Sequence, residues 1–246
     1  MVYGITRNGF LSGGGIADRS MDFEQSSSQY LSMSDSNFGA FDRDKGTVSL
    51  WVMKESNTSL GVQGALFSQF PVAGNMSFAM GFEGVGRLRI DVSTNGGLST
   101  NNGVITTNAT YSNGTWYHVK FLYDMQNSTA NNRLRVWVGG SEISSFADRV
   151  NPPQTSLYNS TADIRIGSNQ ENGTYHDGLL YQFAYFSGVD VPIGQLISGG
   201  RPLDIKHISG LYSLLDTTYG IALEDDYVLS TNWTNNNTVI KSTEVP

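Results

Sequence analysis

Two stretches with regular side-chain alternation, residues 116–124 and 133–138, constrain the fold of this chain more than any other feature. In the first stretch, alternate positions place one set of aromatic and aliphatic residues on one face of a β-strand: Tyr117, Val119, Phe121 and Tyr123. The second stretch repeats the pattern with three aliphatic residues: Leu134, Val136 and Val138. The intervening residues 125–132 are polar and rich in asparagine, so the two stretches predict a long antiparallel hairpin.

Period-two segments recur along most of the chain and are separated by turns rich in Gly, Asn and Ser. The predicted strands lie at 20–24, 29–33, 47–53, 65–70, 77–82, 87–92, 163–167, 178–186 and, at a sheet edge, 239–242. We expect the first two to pair with each other. One short helix is predicted to begin at Pro192 and to end before Gly199. This pattern predicts an all-β chain, folded as a two-sheet antiparallel β-sandwich with N- and C-terminal extensions.

The composition argues against several classes of partner. The net charge is −7 and only 15% of the residues are charged, which disfavours nucleic acid and anionic membranes, since both attract positive charge. No segment approaches the ~20 apolar residues that span a bilayer. The first residues lack the apolar run of a signal peptide, and the absence of cysteine favours assembly in a reducing compartment.

We expect one domain with two extensions: a glycine-rich arm at 1–19, the sandwich at 20–200, and a tail at 201–246 that packs on the sandwich or on a neighbour. Both extensions carry apolar residues, which usually find a partner when exposed. The predicted interface residues are Tyr3, Ile5, Phe10 and Leu11 in the arm and Leu211, Tyr212 and Leu214 in the tail. The alternative is that both extensions fold back on their own chain.

The sequence offers no catalytic residues, no cofactor site and no metal site. A glucanase of this architecture needs facing carboxylates, and the Glu-x-Asp-x-x-Glu spacing that would supply them does not occur. The acidic run at 224–226 points to opposite faces of a strand. His118, His176 and His207 are not spaced as metal ligands, and no Gly-x-Ser-x-Gly motif is present. We therefore predict that the chain is not an enzyme.

Two kinds of binding site remain to be weighed. Calcium is coordinated by several oxygen ligands. Three aspartates lie near predicted turns at the rim of the sandwich: Asp22, Asp124 and Asp177. We interpret them as turn-capping residues. A sugar-binding site typically has an aromatic surface beside polar groups. The candidate aromatic residues near asparagine-rich loops are Tyr111, Trp116 and Tyr158, with Trp233 in the tail.

The order of the segments resembles the laminin G-like (concanavalin A-like) jelly roll over residues 20–200. The resemblance is carried by five segments: 20–33, 47–52, 116–124, 133–140 and 163–186. After Gly178 that family usually has acidic residues, whereas this chain has Leu180, Tyr181 and Gln182, which speaks against a calcium site. The chain ends resemble those of laminin G-like proteins of tailed bacteriophages, which implies a capsid decoration, head-fibre or tail-fibre component.

The predicted function is therefore that of a non-enzymatic structural protein of a bacteriophage virion. The resemblance implies the major capsid protein or other virion proteins as partners, a homo-oligomer, and contact with cell-surface glycans of the host. The alternative is a free-standing lectin or adhesin with a carbohydrate site as its main function. A glycan hydrolase is a third hypothesis, which turnover of a polysaccharide would support.

Overall fold

The computed structural model describes residues 20–39, 41–56, 66–71, 75–97, 102–169, 173–215, 233–242 and 244–246. It confirms the predicted all-β fold, with two antiparallel sheets packed as a sandwich. Sheet A contains β1 (Ser20–Phe23), β3 (Lys45–Lys54), β8 (Tyr117–Asp124), β9 (Leu134–Val138), β10 (Ser141–Glu142), β15 (Gly178–Ser187), β18 (Leu211–Leu215) and β20 (Ile240–Ser242). Sheet B contains β2 (Tyr30–Met33), β4 (Phe67–Gln69), β5 (Phe78–Phe82), β6 (Arg87–Val92), β7 (Gly103–Thr110), β11 (Phe146–Val150), β12 (Ile164–Ile166) and β19 (Thr234–Asn236).

The strand order places the longest strands at the centre of sheet A. The order is β10-β9-β8-β3-β15-β1-β20 in sheet A, where β18 also pairs with β15, and β11-β7-β6-β5-β4-β12-β2-β19 in sheet B. Two small hairpins lie outside the sheets: β13 (Ser168–Asn169) with β14 (Thr174–Tyr175), and β16 (Ile197–Ser198) with β17 (Arg201–Pro202).

The central hairpin is confirmed, since β8 and β9 pair from Val119 opposite Val138 to Tyr123 opposite Leu134. The predicted edge strand is also present as β20, beside β1. The predicted pairing of 20–24 with 29–33 is wrong, because β1 belongs to sheet A and β2 to sheet B. A single 3-10 turn, Gln25–Ser27, redirects the chain between the two layers.

Two other predictions need correction. The predicted helix after Pro192 is only a 3-10 turn, Ile193–Gln195, because Pro192 itself is extended and β16 follows almost at once. The α-helix of the described chain is one turn, α1 (Asp35–Phe38), in which the Ser34 hydroxyl accepts a hydrogen bond from the backbone N–H of Asn37. Strands β7 and β11 were not predicted. Within the described ranges, no helix is long and apolar enough to cross a membrane.

The core between the sheets is built around Phe41. Its ring stacks on Phe78 at 5.0 Å, on Tyr185 at 4.9 Å and on Tyr123 at 5.7 Å between centroids. The hydroxyls of Tyr123 and Tyr185 lie 2.9 Å apart, and the Tyr123 hydroxyl donates to the carbonyl of Asp42. The two buried phenol hydroxyls therefore hydrogen-bond to each other, and buried polar groups generally need such a partner.

A second apolar cluster covers the outer face of sheet A. Trp51, Tyr181 and Phe186 on that face pack against four aliphatic residues of the segment that follows β15: Val191, Leu196, Ile197 and Ile205. Strands β3 and β15 are consequently buried on both faces.

Residues 233–242 join the two sheets at one edge. Strand β19 pairs with β2 in sheet B, and β20 pairs with β1 in sheet A. The connection of three residues contains Asn237 and Thr238, whose φ angles are +57° and +63°. The side-chain amide of Gln29 donates to the Thr238 carbonyl at 2.9 Å. This part of the tail thus belongs to the sandwich.

Candidate functional site

The structure does not bring the three aromatic candidates together. Tyr111 lies in the core at 7% exposure, with its ring 5.0 Å from that of Tyr117. Trp116 is half-buried against the cluster on the outer face of sheet A. Tyr158 is half-buried in the loop after β11, and its backbone N–H donates to the carbonyl of Ser93. A shared sugar platform built from these three residues is therefore not formed.

The predicted interface residues divide between two parts of the chain. Tyr3, Ile5, Phe10 and Leu11 lie outside the described residues. Leu211, Tyr212 and Leu214 are in β18, which pairs with β15 of the same chain. The side chain of Leu214 is fully buried there, whereas the other two are half-buried. The strand thus adopts the intramolecular arrangement that the sequence left open, and an intermolecular role for it stays a prediction.

The outer face of sheet B carries a row of aligned, mostly polar side chains. Strand register places seven of them side by side: Thr234, Ser32, Arg165, Ser68, Ala79, Asp91 and Val104. Leu31 and Ile164 on the adjoining strands belong to the core. Because side chains alternate along a strand, the neighbouring residues Ser32 and Arg165 lie on the outer face.

At one end of this row, polar and aromatic groups form a surface that we call the Tyr30 face: Tyr30, Ser32, Arg165, Tyr175 and Asn236. The rings of Tyr30 and Tyr175 lie 6.1 Å apart with an interplanar angle of 38°. The guanidinium carbon of Arg165 lies 4.3 Å from the centre of the Tyr30 ring. The Asn236 side-chain amide donates to the Ser32 hydroxyl at 2.9 Å. All five side chains are half-buried.

Four separate segments build the Tyr30 face. Tyr30 and Ser32 alternate with core residues on β2, and Asn236 is the direct cross-strand partner of Tyr30 on β19. Arg165 is the partner of Ser32 on β12. Tyr175 comes from the β13–β14 hairpin, where the carbonyl of Ser168 accepts a hydrogen bond from the Ser68 hydroxyl at 2.8 Å. Such a face offers flat apolar rings beside amide, hydroxyl and guanidinium groups.

Farther along the same face, Arg89 is paired with two carboxylates. Arg89 donates two hydrogen bonds of 2.8 Å to the carboxylate of Asp91 and lies 3.4 Å from Glu83. Burial raises the pKa of Asp91, and the hydrogen bonds from Arg89 partly offset this effect. Both carboxylates are thus engaged by the same arginine.

The three aspartates weighed as calcium ligands lie at opposite ends of β3. Asp124 is paired with Lys45 at 3.2 Å, at the start of that strand. The carbonyl of Asp177 accepts from the backbone of Glu55, just beyond its end. Burial raises the pKa of Asp22, and the charges of Glu24 and Asp177 raise it further. Within the described ranges, no three acidic or histidine side chains are arranged to hold a metal ion.

Two of the three histidines are buried. His118 lies against Trp51 at 5.2 Å, and its Nε2 is 2.9 Å from the Ser49 hydroxyl. Burial, with a contribution from Lys120, lowers the pKa of His118 to about 3. Burial likewise lowers the pKa of His176 to about 4. Both side chains are therefore neutral at pH 7 and serve the packing of the sandwich.

One open cavity of about 580 Å³ lies on the side of sheet A. It is lined by residues 189–192, Gln195, 203–204 and 207–209, and it contains the exposed His207. No aromatic ring other than this imidazole lines it, so it lacks the stacking surface of the Tyr30 face.

A laminin G family model, described as "Concanavalin A-like lectin/glucanases superfamily", matches residues 25–189, which is more than half of the chain. The chain belongs to this superfamily. The matched range includes the β2, β12 and β14 parts of the Tyr30 face but not β19. In this member of the concanavalin A-like superfamily, the tail therefore supplies Asn236 from outside the matched range.

Solved structures support the same fold at low sequence identity. A proposed carbohydrate-binding protein from Bacteroides ovatus matches with a TM-score of 0.63 and 12% identity over 92% of this chain. This chain spans 60% of that protein's length. The heptameric SAP-like pentraxin of Limulus polyphemus has a TM-score of 0.56 and 14% identity, covering 93% of this chain and 96% of the pentraxin.

A third structure is the CBM40 domain of the Ruminococcus gnavus IT-sialidase, with a TM-score of 0.50, 11% identity, and coverage of 73% and 97% of the two chains. No curated protein sequence matches this chain. Neither the superfamily description nor these three structures links the chain to bacteriophage virions.

Sequence reasoning missed every residue of the Tyr30 face. The available signal was the alternation itself, because Tyr30 and Ser32 stand between apolar positions on β2, and Arg165 stands between Ile164 and Ile166. From the sequence, these positions are assigned to predicted strands only. Their meeting depends on which strands are neighbours, and the alternation does not contain that information.

Proposed function

We propose that this chain is a non-catalytic carbohydrate-binding domain whose sugar contacts are made by the Tyr30 face. The observation that carries the proposal is the placement of two half-buried tyrosine rings, 6.1 Å apart, beside Arg165 and Asn236. Aromatic rings pack on the apolar C–H side of a sugar, while the polar groups around them bond to its hydroxyls. Membership of a lectin-containing superfamily supports this reading.

The absence of catalysis is part of the proposal. Glycoside hydrolysis needs two carboxyl groups that flank the scissile bond. Two of the described carboxylates on the outer face of sheet B, Asp91 and Glu83, are both engaged by Arg89. A site that holds a sugar without such a pair would bind it and release it unchanged.

A glycan array with the intact chain tests the proposal. We expect the chain to bind at least one class of glycan, and Tyr30→Ala to weaken that binding at least tenfold, or about 1.4 kcal/mol. Tyr158→Ala is the matched control, because Tyr158 is also half-buried but lies in the loop after β11. It should leave the affinity unchanged.

Two results would contradict this assignment. Absence of binding to every glycan on the array would refute the proposed function. Equal losses of glycan affinity for the two alanine variants, with unchanged thermal unfolding, would show that the site is not on the Tyr30 face.

We further propose that the domain acts on a bacteriophage virion, as a homo-oligomer attached to the major capsid protein or another virion protein. This second proposal is supported by the sequence resemblance alone, and the apolar arm residues Tyr3, Ile5, Phe10 and Leu11 are the predicted anchors. Deletion of residues 1–19 should abolish both self-association, measured by light scattering, and incorporation into particles. Normal particle occupancy of the deletion variant would refute the anchoring role.

A further inference from the structure

We propose that the Tyr30 face selects sugars that carry a carboxylate and that Arg165 binds this group. The inference rests on the proposed carbohydrate-binding function and names the class of sugar. Its observation is a half-buried arginine that has no acidic partner among the described residues and lies over the aromatic ring of Tyr30.

Arg165 differs from most of the described arginines. Arg43, Arg89 and Arg135 each pair with a carboxylate, at distances from 2.7 to 3.2 Å. Arg133 and Arg149 donate to backbone carbonyls. Among the described residues, Arg165 has no ion-pair partner and its Nε has no hydrogen-bond partner, although the chain carries a net charge of −7. Arg87 shares this property and lies on the same face of sheet B.

The Nε–H of Arg165 is buried and has no acceptor among the residues that the structure describes. A buried donor without a partner costs free energy, and an acceptor brought by a ligand would recover that cost. A carboxylate suits the position because a guanidinium binds it through two parallel hydrogen bonds.

The surroundings of Arg165 hold it in position for such a ligand. The Tyr30 ring lies 4.3 Å from the guanidinium carbon, which restricts the motion of the charged group. The partner strands place Ser32 on one side of Arg165 and Ser68 on the other, and both are neutral. The Asn236 amide and the Tyr175 ring complete a surface that can contact the rest of a sugar ring.

Calorimetric titration of the intact chain with matched sugars tests the inference. Methyl glucuronide is compared with methyl glucoside, which has a CH₂OH group in place of the carboxylate. Methyl N-acetylneuraminate glycoside is compared with its carboxyl-reduced form. We expect at least one acidic sugar to bind tenfold or more tightly than its neutral counterpart, and the two pairs distinguish a uronate from a sialate.

Arg165→Gln should reduce affinity for the preferred acidic sugar at least tenfold more than it reduces affinity for the neutral counterpart. Arg87→Gln removes the same charge from the same face and should change both affinities less than twofold. Unchanged thermal unfolding would establish that both variants are folded; if Arg165→Gln unfolds, Arg165→Lys replaces it, with the same expected loss of acidic preference.

Equal binding of acidic and neutral sugars by the wild-type chain would overturn the inference while leaving the proposed function intact. Equal losses for the Arg165 and Arg87 variants would also overturn it, because the preference would then reflect overall charge. Failure of every sugar on the array to bind would instead refute the proposed function itself.

Discussion

Lowering the pH from 7 to 5 should reduce the free energy of unfolding by about 4 kcal/mol, because His118 and His176 must remain neutral in the folded chain. Burial lowers their pKa values to about 3 and about 4, from an ordinary value of 6.5. Below pH 6.5 the unfolded chain takes up protons at both positions and the folded chain does not. The stability that the neutral histidines contribute is therefore fully present above pH 6.5. It is lost as the pH falls towards their pKa values in the folded chain, at about 1.4 kcal/mol of unfolding free energy per pH unit for each histidine.

Urea denaturation at pH 7 and pH 5 measures this loss. His118→Gln and His176→Gln should each remove about half of the pH dependence, even though each variant is less stable at pH 7. His207→Gln is the matched control, because it makes the same substitution at an exposed position.

The carboxylates Asp22 and Glu55 have the opposite effect on how the free energy of unfolding depends on pH. Burial and neighbouring negative charges raise their pKa values, so their unfavourable effect on folding fades as they take up protons. Glu55 is exposed, and solvent screening weakens its contribution. A chain that is equally stable at both pH values, or more stable at pH 5, would show that the histidines are not the controlling groups.

Gly178→Ala should destabilise the fold by about 4 kcal/mol, since it combines backbone strain with a steric overlap. Gly178 has a φ of +138°, which residues with a Cβ atom rarely adopt. A Cβ at this position would overlap the carbonyl oxygen of Met53 and lie 2.9 Å from the Cα of Lys54. Both obstacles are backbone atoms of β3, the strand that pairs with β15 at this point, so neither can rotate away.

Gly194→Ala is the control for this substitution. No atom lies within 4 Å of the position a Cβ would take at Gly194, and its φ is outside the left-handed range. We expect a change within about 0.5 kcal/mol. Chemical denaturation of the two variants in parallel provides the test, and equal midpoints would mean that the β3–β15 junction tolerates the added methyl group.

The sequence predicted those parts of the fold that depend on neighbouring residues. The β8–β9 hairpin was predicted because its two strands and its turn are contiguous, and their alternation has a single simple explanation. The pairing of β1 with β2 was wrong because a short polar turn is equally compatible with a hairpin and with a crossing between layers. Strand β7 was missed because its segment is rich in Thr, Asn and Gly, and only the burial of Ile105 and Thr107 within the sheet reveals its role.

The alternation of side chains could not predict the candidate site, for a different reason. Tyr30, Arg165, Tyr175 and Asn236 are scattered over the chain, and they meet only because β2 lies between β12 and β19. Tyr111 shows the converse error. Its place beside an asparagine-rich loop suggested exposure, but the ring packs against Phe82 and Tyr117 inside the sandwich. Proximity to polar residues in sequence does not determine whether an aromatic ring faces solvent.

The three-residue link between β19 and β20 also restricts how the molecule can move. Sliding of one layer over the other along the strand direction would have to lengthen a connection whose Asn237 and Thr238 already have positive φ angles. We therefore expect both layers to open together at this edge, with the backbone amides of β1 and β2 showing a common rate of hydrogen exchange. A sugar that tightens β2 against β19 would then slow exchange in β1 as well, on the opposite side of the core.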